Sequence, residues 1–144
     1  MIAVVILLDQ VSKYIIRAGF QVGDSLPIIQ DVFHITYVQN RGAAFSMFQN
    51  MHLLTIAFPC VCVVVCLVAM VYMRRKKERV LPYSLALIAA GGIANLIDRI
   101  YLGFVTDMFD FRVFPVFNVA DIAVTCGCAL AIIWVIFVDS KKED

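Results

Sequence analysis

Two aspartates, Asp107 and Asp121, are the residues of this chain whose types and positions best suit catalysis. Asp107 lies just beyond a hydrophobic run that starts at Gly91, and Asp121 stands at the head of the next hydrophobic run. If both helices meet the same membrane surface, the two carboxylates can face one another and share a proton, because close carboxylates cannot easily both ionise. That state suits hydrolysis, since one Asp takes a proton from water while the other donates to or polarises a scissile carbonyl. Two separate, solvated acids are the alternative.

Further polar residues interrupt the hydrophobic runs at helical spacing. Asp9 and Lys13 are four residues apart with the acid first, the favourable order for an ion pair on a helix. Gly91, Asn95 and Arg99 follow one another at the same interval and therefore share one stripe of a helix. On this stripe Gly91 lets another backbone or a ligand approach closely, Asn95 supplies an amide, and Arg99 supplies a guanidinium group. This combination favours a binding site.

Asp98 stands one position off that stripe, and we expect it to hold Arg99 or to cap an external loop. An unpaired charge at mid-membrane costs about 2.5–3.5 kcal/mol on insertion scales, so such residues must pair, face the interior or lie near an interface. For Asp98, Asp9 and Lys13, a purely structural role in joining helices is as compatible with the spacing as a functional one.

The composition indicates an integral membrane protein, because 62% of the 144 residues are hydrophobic and 16% are charged. The net charge of +1 gives no reason to expect nucleic acid as a partner. All five cysteines lie in apolar runs without His or carboxylate neighbours at ligand spacing, so we expect them to pack as small hydrophobes and expect no metal site.

Four runs approach the roughly 20 apolar residues that a transmembrane helix needs. Residues 2–19, 53–73, 80–100 and 119–138 are the predicted spans. The basic run at residues 74–79 and the tail lysines 141 and 142 should be cytoplasmic by the positive-inside rule, so both termini are expected inside and residues 20–52 and 100–118 outside. The predicted fold is an all-α membrane protein in one domain, residues 1–144, with four transmembrane helices.

A small extracytoplasmic β-cradle-like element is expected beside these helices. Residues 31–39 are rich in β-branched and aromatic types, which predicts a short strand. Pro115 and several phenylalanines make residues 100–118 a poor helix, and we expect this segment to pair loosely with the first. External strands that flank a membrane site could form a shallow cradle at the lipid surface.

Four blocks of the sequence together resemble the lipoprotein signal peptidase (signal peptidase II) family of bacterial membrane aspartic peptidases. The blocks are LDQVSK at 8–13, NRGAAFS at 40–46, residues 91–110, and FNVAD at 117–121. The resemblance covers nearly the whole chain and places Asp107 and Asp121 on the family's catalytic pair. It further implies a substrate site lined by Asn40, Asn95, Arg99, Asn118 and Ala120, with Asp9, Lys13 and Gly91 in supporting positions.

The reaction that the resemblance implies is removal of the signal peptide from diacylglyceryl-modified prolipoproteins. The cut falls just before the lipidated cysteine, at the outer face of the bacterial cytoplasmic (inner) membrane. For such a substrate, the external segments could hold the extended peptide by strand addition, with residues 32–38 as the segment to test. No cofactor is implied, the partners are the lipid-modified prolipoprotein and membrane lipid, and we expect a monomer. Two other classes remain open: a small proton- or ion-coupled carrier with a buried Asp–Arg relay, and a structural subunit whose polar residues only fix helix contacts.

Overall fold

The computed structural model describes residues 1–42, 53–75 and 79–139. The predictions for residues 43–46 of the second block, for 76–78 of the basic run and for the tail lysines fall outside these residues. The elements are α1 (Ile2–Gly19), β1 (Ser25–Ile29), β2 (Phe33–Asn40), α2 (Phe58–Arg75), α3 (Val80–Leu102), β3 (Val105–Asp110) and α4 (Val119–Trp134). A π-helical turn, Leu53–Ala57, leads into α2, and another, Val135–Asp139, follows α4.

Among the residues that the structure describes, three helical segments are long and apolar enough to cross a membrane: Thr55–Arg75, Val80–Leu102 and Val119–Phe137. They coincide with three of the four predicted spans. The fold is mostly helical with a small sheet, as the sequence predicts. Helix α1 carries Asp9, Lys13 and Arg17 and is not among the three, so a fourth span stays a prediction.

Helix α3 lies at the centre of the helix bundle and contacts α1, α2 and α4. Its contact with α4 is close because small residues meet there. A Cβ atom on Gly91 would collide with the carbonyl oxygen of Ala120, and one on Gly127 would lie 2.7 Å from the carbonyl oxygen of Ser84. The prediction that Gly91 permits close approach of another backbone is therefore confirmed, and that backbone is the first turn of α4.

The outer faces of the bundle are apolar. Helix α2 buries only Val63 and exposes a run of valines, namely Val61, Val64, Val65 and Val68. In water such a surface would be costly, whereas a bilayer solvates it without penalty. The exposed apolar faces thus agree with a protein embedded in lipid.

The three strands form one antiparallel sheet in the order β1-β2-β3. It is joined to the bundle by a small core in which Ile16 of α1 packs with Tyr37 and Met108. Strand β2 confirms the strand predicted at 31–39, and its pairing with β3 confirms that the two connecting segments associate. Strand addition along 32–38 is wrong for this arrangement, because β2 is the central strand and pairs on both edges. Addition of a peptide elsewhere along the external segments stays a prediction.

Candidate active site

The candidate site forms where β3 and the start of α4 return to the end of α3. Gly103 ends α3 with φ of 78°, a left-handed conformation that suits glycine, and the chain turns directly into β3. Asn118 caps α4: its side chain accepts from the Asp121 N–H at 2.9 Å, and the Asp121 side chain accepts from the Asn118 N–H at 3.2 Å. This reciprocal capping box fixes Asp121 in the first turn of α4.

Asp107 and Asp121 are brought together by two asparagine side chains. The Asn118 amide nitrogen donates to Asp107 Oδ1 at 2.7 Å, and the Asn95 amide nitrogen donates to Asp121 Oδ1 at 2.9 Å. The two asparagines also contact each other, with Asn118 Nδ2 donating to Asn95 Oδ1 at 3.2 Å. Asn40 Nδ2 completes the set by donating to Asp107 Oδ2 at 3.0 Å. Residues from β2, α3, β3 and α4 therefore converge on one pair of carboxyl groups.

The two carboxyl groups differ in exposure. Asp107 is buried with 2% of its surface exposed, whereas Asp121 is partly exposed. Burial raises the pKa of Asp107 to about 6, against the hydrogen bonds from Asn40 and Asn118, which lower it; the charge of Asp121 raises it further. Asp107 therefore keeps its proton to a higher pH than an ordinary aspartate does, and Asp121 is accessible to water.

A buried cation lies behind the pair. Lys13 Nζ lies 2.8 Å from Asp9 Oδ2, 3.1 Å from Asp98 Oδ2 and 2.8 Å from Asn95 Oδ1. Because an ammonium group only donates, it holds the Asn95 oxygen and leaves the Asn95 amide nitrogen directed at Asp121. The predicted Asp9–Lys13 pair is confirmed, and it reaches the site through Asn95.

The same layer joins α1 to α4. Asp9 Oδ1 accepts from the N–H of Ala120 at 2.9 Å, one residue before Asp121. Ala120 and Asn118 are fully buried. In this structure both residues position the carboxylates, and their contact with substrate stays a prediction.

Asp98 and Arg99, near the end of α3, contact different partners in the structure. Asp98 contacts Lys13 and not Arg99, and its Oδ2 accepts from the Thr106 N–H at 3.0 Å, which ties down the turn into β3. Arg99 Nη1 donates to the carbonyl oxygen of Thr55 at 3.1 Å. The cap of an external loop, one of the two roles expected of Asp98, is therefore confirmed. Its pairing with Arg99 is wrong, because successive residues on a helix point in different directions.

Three supporting residues were not singled out from the sequence. Gln10 Nε2 donates to the carbonyl oxygen of Ala94 and to Asp98 Oδ1, both at 3.1 Å. Arg17 Nη1 donates to Thr106 Oγ1 at 3.1 Å and lies 3.9 Å from Asp98 Oδ1. Arg17 follows Lys13 by four residues, so extending the Asp9–Lys13 interval by one step would have found it. Gln10 and Thr106 lie within the blocks at 8–13 and 91–110, but their spacing carries no comparable signal.

Within residues 1–42, 53–75 and 79–139, no group of three or more His, Cys, Asp or Glu side chains is arranged to hold a metal ion.

A family model described as signal peptidase (SPase) II matches residues 1–137. The chain belongs to this family. Its curated relatives include proteins named lipoprotein signal peptidase from Halothermothrix orenii, 44% identical over 92% of this chain and 90% of the relative, and from Brevibacillus brevis, 40% identical over 98% and 95%. A relative of the same name from Caldanaerobacter subterraneus is 45% identical over 90% of this chain and 88% of its own length.

Solved structures of bacterial membrane enzymes share the fold. One, determined by the in meso method at 2.3 Å resolution, has a TM-score of 0.80 and 31% identity and covers 99% of this chain and 88% of that chain. A second, at 1.9 Å, has a TM-score of 0.80 and 32% identity. The resemblance that the four blocks indicate is confirmed, and the protein is a bacterial membrane peptidase. The carrier and the structural subunit lose their support accordingly.

Proposed function

We propose that the protein is an aspartic endopeptidase that removes the signal peptide from diacylglyceryl-modified prolipoproteins, cutting immediately before the lipidated cysteine. The observation that carries the proposal is the junction of Asp107 and Asp121 through Asn118 and Asn95. Family membership supports the substrate class, since the curated relatives are named lipoprotein signal peptidase.

In the proposed reaction the buried Asp107 starts protonated and Asp121 starts ionised. Asp121 takes a proton from a water molecule whose oxygen attacks the scissile carbonyl carbon, while Asp107 gives its proton to the carbonyl oxygen. The resulting tetrahedral diol collapses as Asp121 protonates the leaving nitrogen of the lipidated cysteine and the C–N bond breaks. One diol hydroxyl returns its proton to Asp107, which restores the starting state.

The length of α3 supports a site at the outer face of the membrane. This helix has 23 residues, about 35 Å at 1.5 Å per residue, which exceeds the roughly 30 Å of a hydrocarbon core. Arg74, Arg75 and Arg79 lie at the connection that precedes α3, and the carboxyl pair lies at its other end. With the basic end in the cytoplasm, the pair faces the extracytoplasmic side, and α1 would be the fourth span that puts both termini inside.

The direct test is cleavage by the purified protein in detergent. A diacylglyceryl-modified precursor should yield a product that begins with the lipidated cysteine. The same precursor without the lipid should be cleaved at least about tenfold more slowly at low concentration, because burial of only two methylenes is worth about that factor. Equal rates with and without the lipid would contradict lipid recognition, and no cleavage of either precursor would contradict the peptidase.

The pH dependence of kcat/KM tests the protonation states of the free enzyme. Because the pKa of Asp107 is raised to about 6, kcat/KM should fall as the pH rises through that value and the general acid is lost. Asn40→Ala removes a hydrogen bond that favours the ionised form, so the fall should move to higher pH. A shift to lower pH, or none, would argue against Asp107 as the acid.

A further inference from the structure

A cavity of about 450 Å³ opens beside Asp121 on the side of α4 that faces away from the bundle. Residues 114–117 form one wall, and Ile122, Thr125 and Cys126 of α4 form the other. Helix α4 packs on the bundle through Ala120, Ala123 and Gly127 on its opposite side. The cavity is therefore open to the surroundings of the helix, which in a membrane protein are lipid tails.

The wall opposite α4 is held in shape by aromatic packing. Phe117 stacks on Phe111 with ring centroids 5.9 Å apart and meets Phe114 edge-on at 6.0 Å. Phe117 is also fixed by backbone hydrogen bonds with Phe109 of β3, 2.8 Å and 3.1 Å long. Such a wall is formed before any ligand arrives, so little ordering free energy opposes binding.

We propose that this cavity receives an acyl chain of the substrate's diacylglyceryl group, so that Ile122, Thr125 and Cys126 determine which chain lengths are accepted. The proposal rests on the proposed function, in which the lipidated cysteine adjoins the scissile bond. Asp121 lines both the cavity and the carboxyl pair, so a group attached beside the scissile bond reaches the cavity first.

The chemistry of the lining selects a hydrocarbon over a peptide. Apart from Asp121, the side chains that line the cavity are apolar except for the Thr125 hydroxyl and the Cys126 thiol. A peptide segment in lipid surroundings must satisfy each backbone N–H and C=O, and this lining offers few partners. An acyl chain needs none, and it enters laterally from the bilayer through the open side.

Chain-length selectivity tests the assignment. Thr125→Phe fills the cavity and should raise KM for a dipalmitoyl precursor at least about tenfold more than KM for a dioctanoyl precursor, a factor that corresponds to the lost burial of about two methylenes. The matched control is Ile132→Phe, which adds the same ring to an α4 position that is 59% exposed and outside the cavity, and which should affect both precursors equally. An equal effect of Thr125→Phe on the two precursors would overturn the proposal.

A binding experiment separates this proposal from the proposed function. A precursor that carries a photoreactive group within one acyl chain is bound to the Asp107→Asn variant, irradiated and mapped by mass spectrometry. Labels on Ile122, Thr125 or Cys126 support the proposal even if the native protein cleaves nothing. Labels from the acyl chain on α1 or α2 would overturn the proposal. It would also be overturned if the cavity were labelled only by a precursor whose photoreactive group sits in the signal peptide. Neither result would contradict the peptidase activity.

Discussion

Replacing either Asp107 or Asp121 with Asn is expected to lower kcat at least about 10³-fold, within the range that a positioned general acid or base contributes. Asn has nearly the same shape as Asp but can neither take a proton from water nor give one to a carbonyl oxygen. Because the two carboxyl groups act as one unit, the double variant should be scarcely slower than either single variant. Cleavage of the lipid-modified precursor under single-turnover conditions measures the effect.

Asp110→Asn is the matched control for these two variants. Asp110 lies on the same strand as Asp107 and is also buried, with 6% of its surface exposed. Its carboxylate accepts from Thr36 Oγ1 at 2.9 Å and from the Arg112 N–H at 2.8 Å, and these bonds lower its pKa and hold the sheet. The control should cost about 1 kcal/mol of folding free energy and leave kcat nearly unchanged. Near-normal turnover by a folded Asp107→Asn or Asp121→Asn variant would refute the two-carboxylate mechanism.

The helices and the ion pair within α1 were predictable from local spacing, because the relevant contacts recur at intervals set by the helix itself. Asp9 and Lys13 show this, and so does the step from Lys13 to Arg17. Spacing within one helix does not reveal contacts between helices. That Lys13 also holds Asp98 and Asn95 depends on how α1 packs against α3, which no local interval encodes.

The sheet shows a different limit of sequence-based prediction. Strand β2 has the β-branched and aromatic residues that indicate a strand, whereas all five residues of β1 are exposed and one of them is Pro27. Proline favours edge positions, so β1 lacks both the alternation and the composition of a central strand. Because β1 is not predictable from its own residues, the sequence does not reveal that β2 is the central strand, and strand addition at β2 is wrong for that reason.

The pairing of Asp107 with Asp121 could be suggested but not established from the residues alone. Each lies at an end of a hydrophobic run, and two solvated acids would fit the same pattern. What joins them in the structure is a set of asparagine side chains, and Asn118 serves both as the helix cap and as the bridge to Asp107. A cap is predictable from a short motif, but its second hydrogen bond across 11 residues of chain is not.

Lys13→Met is expected to destabilise the folded protein by about 3–5 kcal/mol, the range observed when one partner of a buried ion pair is removed. Lys13 and Asp9 are fully buried, and Asp98 is 1% exposed. The variant would remove the buried cation shared by the Asp9 and Asp98 carboxylates, and it would leave Asp98 with the partly exposed Arg17 at 3.9 Å. It would also remove the ammonium donor that lies 2.8 Å from the Asn95 oxygen, which would then keep only the donor from Asn118. Unfolding in detergent, followed by heat or denaturant, measures the loss.

Arg17→Met is the matched control, since it removes a cation from the same helix and next to the same carboxylate. Arg17 lies 3.9 Å from Asp98 and is 23% exposed, so its ion pair should contribute about 1 kcal/mol or less. If both variants lost the same stability, burial of Lys13 would not be the source of its effect.

A double variant then separates the charge of Lys13 from its packing. Adding Asp98→Asn to Lys13→Met removes the charge of one of the two carboxylates that lose the ammonium group. The double variant should therefore be less destabilised than the sum of the two single-variant losses, by about 0.5–3 kcal/mol. Turnover should not recover to the same extent, because neither change restores the donor that orients Asn95 toward Asp121. Recovery of stability without recovery of kcat would therefore distinguish the contribution of Lys13 to folding stability from its contribution to the position of the carboxyl pair.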